Sequence, residues 1–188
     1  MENTPSGIRI VDGLALALSR VGLVVSLAVL VVMLAGTVYD VVSRFLFDKP
    51  IVGVIEFSGS YLPAFTFLGL AMTQRLKGNI NVTFGLELLS PRRRKMAEFF
   101  GILLSLLFAA AMAWQSSSGA LHSFGLREYH WGVVASGFTL WIWPAKVAVA
   151  VGLWMLCLEY VVELLRALAQ LTGRMQLETK MAEAKSHV

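Results

Sequence analysis

This 188-residue sequence predicts an all-α integral membrane protein with four transmembrane helices, cytoplasmic N- and C-termini and an N-terminal interfacial amphipathic helix. Three observations carry the prediction. Apolar residues make up 57% of the chain and charged residues only 15%, against roughly 45–50% and about 25% in soluble domains. The few charges bracket four long apolar runs, each near the roughly 20 residues that cross about 30 Å of hydrocarbon. The Lys and Arg residues then fall mostly on one side of the implied membrane. Such a chain has too little polar surface for a soluble fold, which sets aside disorder, a disulfide scaffold and a soluble enzyme. The one cysteine, Cys157, cannot form an internal disulfide or a redox pair.

Residues 1–20 form a cytoplasmic or interfacial segment. Ile8, Val11, Leu14 and Leu18 recur there at spacings of three and four, with Arg9, Asp12 and Arg20 elsewhere. That pattern fits an amphipathic helix lying in the interface. A transmembrane domain is expected over residues 21–165, followed by a cytoplasmic tail, 166–188. The first span, about 21–43, contains 19 uncharged residues from Val21 to Tyr39. A signal-peptide core has roughly 7–15, so an uncleaved anchor is the better reading. Asp40 and Arg44 near its end stand four apart, acid first, the favourable order for a helix pair.

The second span, about 56–75, holds 18 uncharged residues from Phe57 to Gln74. Glu56 sits where a carboxylate meets the positive end of a helix, and Pro63, inside the span, is expected to kink it. Ser90 and Pro91 make an N-cap and first helical position for the third span, about 97–120. Arg92, Arg93, Arg94 and Lys95 follow, placed to set topology and touch anionic lipid. Within that span Gly101, Ser105, Ala109, Ala113 and Ser117 each stand four from the last, a stripe against which a neighbouring backbone can pack.

The fourth span, about 138–160, repeats the device with Ala148 and Gly152. Pro144, beside Trp141 and Trp143, marks its start at an aromatic belt. Lys146 is then only a few residues deep, and its stem can snorkel outward. The other reading makes it an ion-pathway residue or an inter-subunit partner.

Of the 16 Lys and Arg residues, twelve lie in the N-terminal segment, the middle loop and the tail. Arg44, Lys49 and Arg127 lie on the other side, and Lys146 within a span. Both termini and the middle loop are therefore expected to be cytoplasmic. The formal charge of +4 is too small to argue for nucleic acid.

The chemistry is sparse. His122 and His130 flank an outward loop and His187 ends the tail, so no pair sits mid-membrane for a haem. No phosphate-binding glycine motif is present, and no acid is expected deep in a span as an ion carrier would require. No cofactor and no metal is expected. These features describe a membrane scaffold without a site of its own; a redox-enzyme anchor subunit and a self-sufficient carrier are the alternatives.

A more specific pattern begins near residue 41. Val41-Val42-Ser43-Arg44-Phe45-Leu46-Phe47-Asp48-Lys49-Pro50 leads to Glu56, then Phe67-Leu68-Gly69-Leu70-Ala71-Met72, Arg75, Gly78, Ile80 and Val82. With Trp143-Pro144-Ala145-Lys146 and Gly152, this resembles the small membrane subunit of tripartite ATP-independent periplasmic (TRAP) transporters, the Q-type or DctQ-like family, over roughly residues 8–165. Two positions depart from it: Asn79 stands where the family usually has His, and Gly53 where a Trp often precedes the Glu. Asn retains a donor and an acceptor but not a titratable switch.

The resemblance implies a three-part importer of the bacterial or archaeal inner membrane. A periplasmic binding protein (P-type) captures a small solute, commonly an organic acid, and a large membrane subunit (M-type) moves it, coupled to a sodium gradient. The small subunit would steady the large one, contact membrane lipids and offer part of the docking surface. On that reading Arg44, Asp48, Lys49, Glu56, Arg127, Glu128 and His130 are the outward groups nearest a docked binding protein.

Overall fold

The computed structural model describes residues 6–77, 91–129 and 140–171. They form four helices: α1 (Ser6–Phe47), α2 (Val54–Arg75), α3 (Pro91–Gly125) and α4 (Trp143–Leu171). All four are long and apolar enough to cross a membrane. The 42 residues of α1 extend about 63 Å at 1.5 Å per residue, roughly twice a hydrocarbon core. The expected N-terminal helix is helical from Ser6 and continues into the first span without a break. Pro63 likewise lies inside an unbroken α2.

The packing of α1 inverts the usual soluble pattern. Asp12, Ser19, Ser26, Met33 and Asp40 recur every seven residues, with Ala15 and Gly22 between the first three. Ser19, Ser26, Met33, Asp40, Ala15 and Gly22 are buried, and Asp12 is half-buried. A seven-residue repeat keeps one seam of a helix against its neighbours. Here the seam is small and polar, whereas Leu14, Leu18, Val24 and Val31 face outward. Lipid is as apolar as leucine, so close approach and hydrogen bonds, not oiliness, select the inward face.

Those small residues admit the backbone of α2. A Cβ on Gly22 would lie 2.8 Å from the Leu68 carbonyl oxygen. From the other side, a Cβ on Gly152 of α4 would lie 2.5 Å from the Phe67 carbonyl carbon and 2.6 Å from its oxygen. Two successive peptides of α2, Phe67–Leu68 and Leu68–Gly69, are thus met by a glycine from either side. Ser26 adds a bond, its hydroxyl donating to the Phe65 carbonyl at 2.7 Å.

Helix α4 is the hub. It packs against α1, α2 and α3, while α3 leans on α4 and packs closely on neither other helix. Ala109 and Ala113 of α3 are buried against Leu153, Leu156 and Cys157 of α4. The hydroxyl of Ser117 accepts the Trp154 indole N–H at 3.0 Å. The stripe is used unevenly: Gly101 is exposed and would meet nothing within 4 Å of an added Cβ. Ser105 is half-buried. Ala148 packs beside Leu68, Ala71 and Met155, on the α2 side of α4.

Candidate functional site

Polar side chains gather at the two ends of this bundle. The rim carries the α1–α2 and α3–α4 connections; the base carries the start of α1 and the ends of α2 and α4.

At the rim, the buried Asp40 organises the reversal from α1 to α2. One carboxylate oxygen accepts Arg44 Nη2 at 3.0 Å, and the other accepts the backbone N–H of Ile51 at 2.7 Å. The Ser43 hydroxyl donates to the Lys49 carbonyl at 2.8 Å. The last turns of α1 therefore template the loop that follows. Asp48 turns the chain with a φ of 53°, and Gly53 starts α2 with a φ of 94°. The Gly53 carbonyl accepts the Phe57 N–H at 2.8 Å. A glycine suits that left-handed position and a tryptophan would be strained there, which gives the departure at Gly53 a local cause.

The α3–α4 connection opens with a Schellman motif. Arg127 N–H donates to the Phe124 carbonyl at 3.2 Å, and Glu128 N–H to the Ser123 carbonyl at 3.1 Å. Arg127 takes the left-handed position, φ 49°, where glycine is usual. The turn delivers the Glu128 side chain to Lys146, whose Nζ donates to it at 2.5 Å, and to the buried Ser123 hydroxyl. The Lys146 ammonium, helped by Ser123, holds the Glu128 carboxyl below the usual glutamate range. Lys146 thus reaches the rim and ends on an acid of its own chain. Aromatic groups join this connection to α2: the Tyr61 hydroxyl donates to the Trp141 carbonyl at 3.0 Å, and Tyr61 stacks on Phe57.

The rim residues singled out from the sequence occupy different situations. Asp48, Lys49 and Arg127 are exposed. Arg44 is exposed but tied to Asp40. Glu56 stands half-buried in the first turn of α2. Glu128 is a partner of Lys146 and not a free surface charge. His130 and Asn79 lie outside the described residues. Among the described residues, none of the chosen rim charges is bonded to another. On α3, Arg93 and Arg94 are exposed, and Arg94 pairs with Glu98 at 3.0 Å; the side chains of Arg92 and Lys95 lie outside the described set.

The base holds a cluster that the sequence reading missed. Glu159 is only 5% exposed and stands inside α4, directly after the uncharged run that ends at Leu158. The Arg75 guanidinium donates to both Glu159 oxygens at 3.1 Å, and the Ser19 hydroxyl to one of them at 2.6 Å. Arg75 also reaches Asp12 at 2.6 Å, and Arg166 meets the same Asp12 oxygen at 2.6 Å. Gln74 donates to Glu163 at 2.8 Å.

Two carboxylates and two guanidinium groups thus join α1, α2 and α4 in a cluster whose formal charges cancel. Removing one partner of its buried pair, Arg75–Glu159, costs about 3–5 kcal/mol. The signal lay in spacing: Glu159, Glu163 and Arg166 stand four and three apart, on one face of a helix that runs on past the apolar stretch.

Compared with known families, residues 33–170 match a family model described as tripartite ATP-independent periplasmic transporters, DctQ component. The match includes the rim and the Arg75–Glu159 pair and begins after Asp12 and Ser19. No curated protein matches the chain.

Proposed function

Since this chain belongs to the DctQ family, the small membrane component of TRAP transporters, we propose that it supports transport as a scaffold and leaves the carrying to a partner. It is a multi-pass membrane component of a transport system. The observation that carries the scaffold reading is the saturation of its buried carboxylates from within. Asp40 is satisfied by Arg44 and the Ile51 N–H, and Glu159 by Arg75 and Ser19. Carboxylates so engaged hold helices together; an ion carrier must release its partners at each cycle.

In the assembly we propose, the large membrane subunit packs on the outward apolar surface of α1 and α2. It moves an organic acid coupled to a sodium gradient, after a periplasmic binding protein delivers it. The rim faces the periplasm and offers Arg44, Asp48, Lys49, Glu56 and Arg127 to the binding protein, with Glu128 and His130 alongside. The base, both termini and the 76–90 connection face the cytoplasm of a bacterial inner membrane. Residues 1–20 meet the interface, 21–165 form the membrane domain and 166–188 the tail, while Arg92 to Lys95 contact lipid headgroups.

Purification of the tagged chain from its native membrane tests this directly. A large multi-span subunit is expected to accompany it, and the pair, not the chain alone, is expected to transport after addition of the binding protein. Isolation of the chain without any such subunit would contradict the scaffold role.

A further inference from the structure

A cavity of about 190 Å³ lies at the base between the end of α2, the first turns of α3 and the last turns of α4. Its walls set Arg75, Lys77, Glu98 and Glu163 beside the apolar side chains of Phe99 and Ile102. Helices α2 and α3 both pack on α4 but not closely on each other, so these walls stand apart. The cavity lies where the uncharged run of α2 gives way to Arg75 and Lys77, and where α3 passes from its charged first turns into the uncharged run that begins at Phe99. With these uncharged runs taken as the spans, that is the level at which acyl chain gives way to headgroup.

The charges in this cavity are unequally engaged. Arg75 is spent on Asp12 and Glu159. Glu98 has Arg94. Glu163 has the Gln74 amide, a neutral donor, and no counter-cation within salt-bridge distance among the described residues. Lys77 is held by its backbone in the left-handed cap of α2, φ 52°, with its ammonium given no acceptor among the described residues. Arg166, also in the lining, is tied to Asp12. Among the described residues the cavity therefore offers one cation without a carboxylate partner, Lys77, and one carboxylate short of a cation, Glu163, with an apolar wall beside them.

We propose that this cavity binds the headgroup of a glycerophospholipid bearing a primary amine, its phosphate on Lys77, its ammonium on Glu163 and its acyl chains along Phe99 and Ile102. A primary ammonium can donate hydrogen bonds to Glu163, whereas a quaternary choline has no N–H to give. A purely anionic headgroup leaves Glu163 unanswered and brings its charge near Glu98 and Glu159. The inference needs only a chain that spans a bilayer and is independent of the partners proposed above.

The test uses the full chain, delipidated in detergent and titrated with short-chain phosphatidylethanolamine, phosphatidylcholine and phosphatidylglycerol under native mass spectrometry. One charge-assisted hydrogen bond predicts about tenfold tighter binding of the ethanolamine lipid. Glu163→Gln is expected to erase that preference, and Lys77→Gln to weaken the ethanolamine and choline lipids alike. Lys49→Gln at the rim should change neither. Soluble O-phosphoethanolamine is expected to bind far more weakly than the lipid; equal binding would overturn the lipid assignment. Equal affinity for all three lipids, tighter binding of the glycerol lipid, or a preference surviving Glu163→Gln would overturn the proposal. Should Glu163→Gln fail to fold, the ranking of the three lipids by the unaltered chain decides the question alone.

Discussion

Arg75, the last residue of α2, donates to both carboxylate oxygens of Glu159 on α4 at 3.1 Å. The same guanidinium holds Asp12 of α1, so a single side chain ties three helices. Such a contact stabilises only while both charges are present, because Glu159 without Arg75 is a buried carboxylate left with the Ser19 hydroxyl and no counter-charge. Arg75→Met is therefore expected to destabilise the chain by about 3–5 kcal/mol, read as equilibrium unfolding in mixed micelles. The double variant Arg75→Met, Glu159→Met should recover most of that loss. Asp12 retains Arg166 in both variants. A loss below about 1 kcal/mol for Arg75→Met, the level of an exposed pair, would show that the cluster does not hold the helices.

Gly152 and Gly101 were indistinguishable as small residues in the sequence, yet they stand in opposite surroundings. A methyl group on Gly152 collides with the Phe67 carbonyl, which cannot move without shifting α2. Gly152→Ala is expected to cost at least about 1–3 kcal/mol through overpacking. Gly101→Ala meets open space and should be neutral or gain up to about 1 kcal/mol from helix propensity. Thermal unfolding of the two variants side by side reads the difference.

The fold class was legible because scarce charges delimit the helices whatever their packing. The inward faces were not. Hydropathy marks Leu14, Leu18 and Val24 as the strong positions of α1, whereas the structure turns Ala15, Ser19 and Ser26 inward. In a membrane both faces are apolar enough, so only spacing identifies the seam; the seven-residue recurrence from Asp12 to Asp40 was in plain view. Glu159 was missed because charges were treated as the ends of spans. That rule fails where a helix continues through its own ion pair, as α4 does to Leu171. Lys146 was legible as a near-surface charge, but its partner Glu128 is set by the turn at Arg127, which spacing alone does not show.

The Lys146–Glu128 contact has a defined pH response. The carboxyl is held below its ordinary range in the folded chain, so its contribution is fully present above the unfolded value, about 4.3. It is lost only as pH falls further, through the lower folded value. The stability difference between the unaltered chain and Glu128→Gln should stay constant from about pH 8 to pH 5 and shrink below about pH 4. A difference that vanishes between pH 7 and pH 5 would contradict the geometry.

Arg127 allows backbone and charge to be separated at the rim. Arg127→Gly removes the cost of a side chain in the left-handed region and should raise stability by about 1 kcal/mol. The same variant should weaken capture of the binding protein, as should Arg127→Glu, while Arg127→Lys retains it. Arg44→Glu is a less clean probe, because it sets a second carboxylate beside buried Asp40 and should also destabilise the α1–α2 turn. Immobilised transporter exposed to labelled binding protein reads the docking, and undiminished capture by both Arg127→Gly and Arg127→Glu would remove Arg127 from the docking surface.

The most direct test of a supporting role is solute flux after reconstitution. Proteoliposomes containing this chain alone, supplied with binding protein, its solute and an inward sodium gradient, are expected to accumulate nothing above empty vesicles. Adding the large membrane subunit should restore uptake. Gradient-driven uptake by the chain alone would contradict the account.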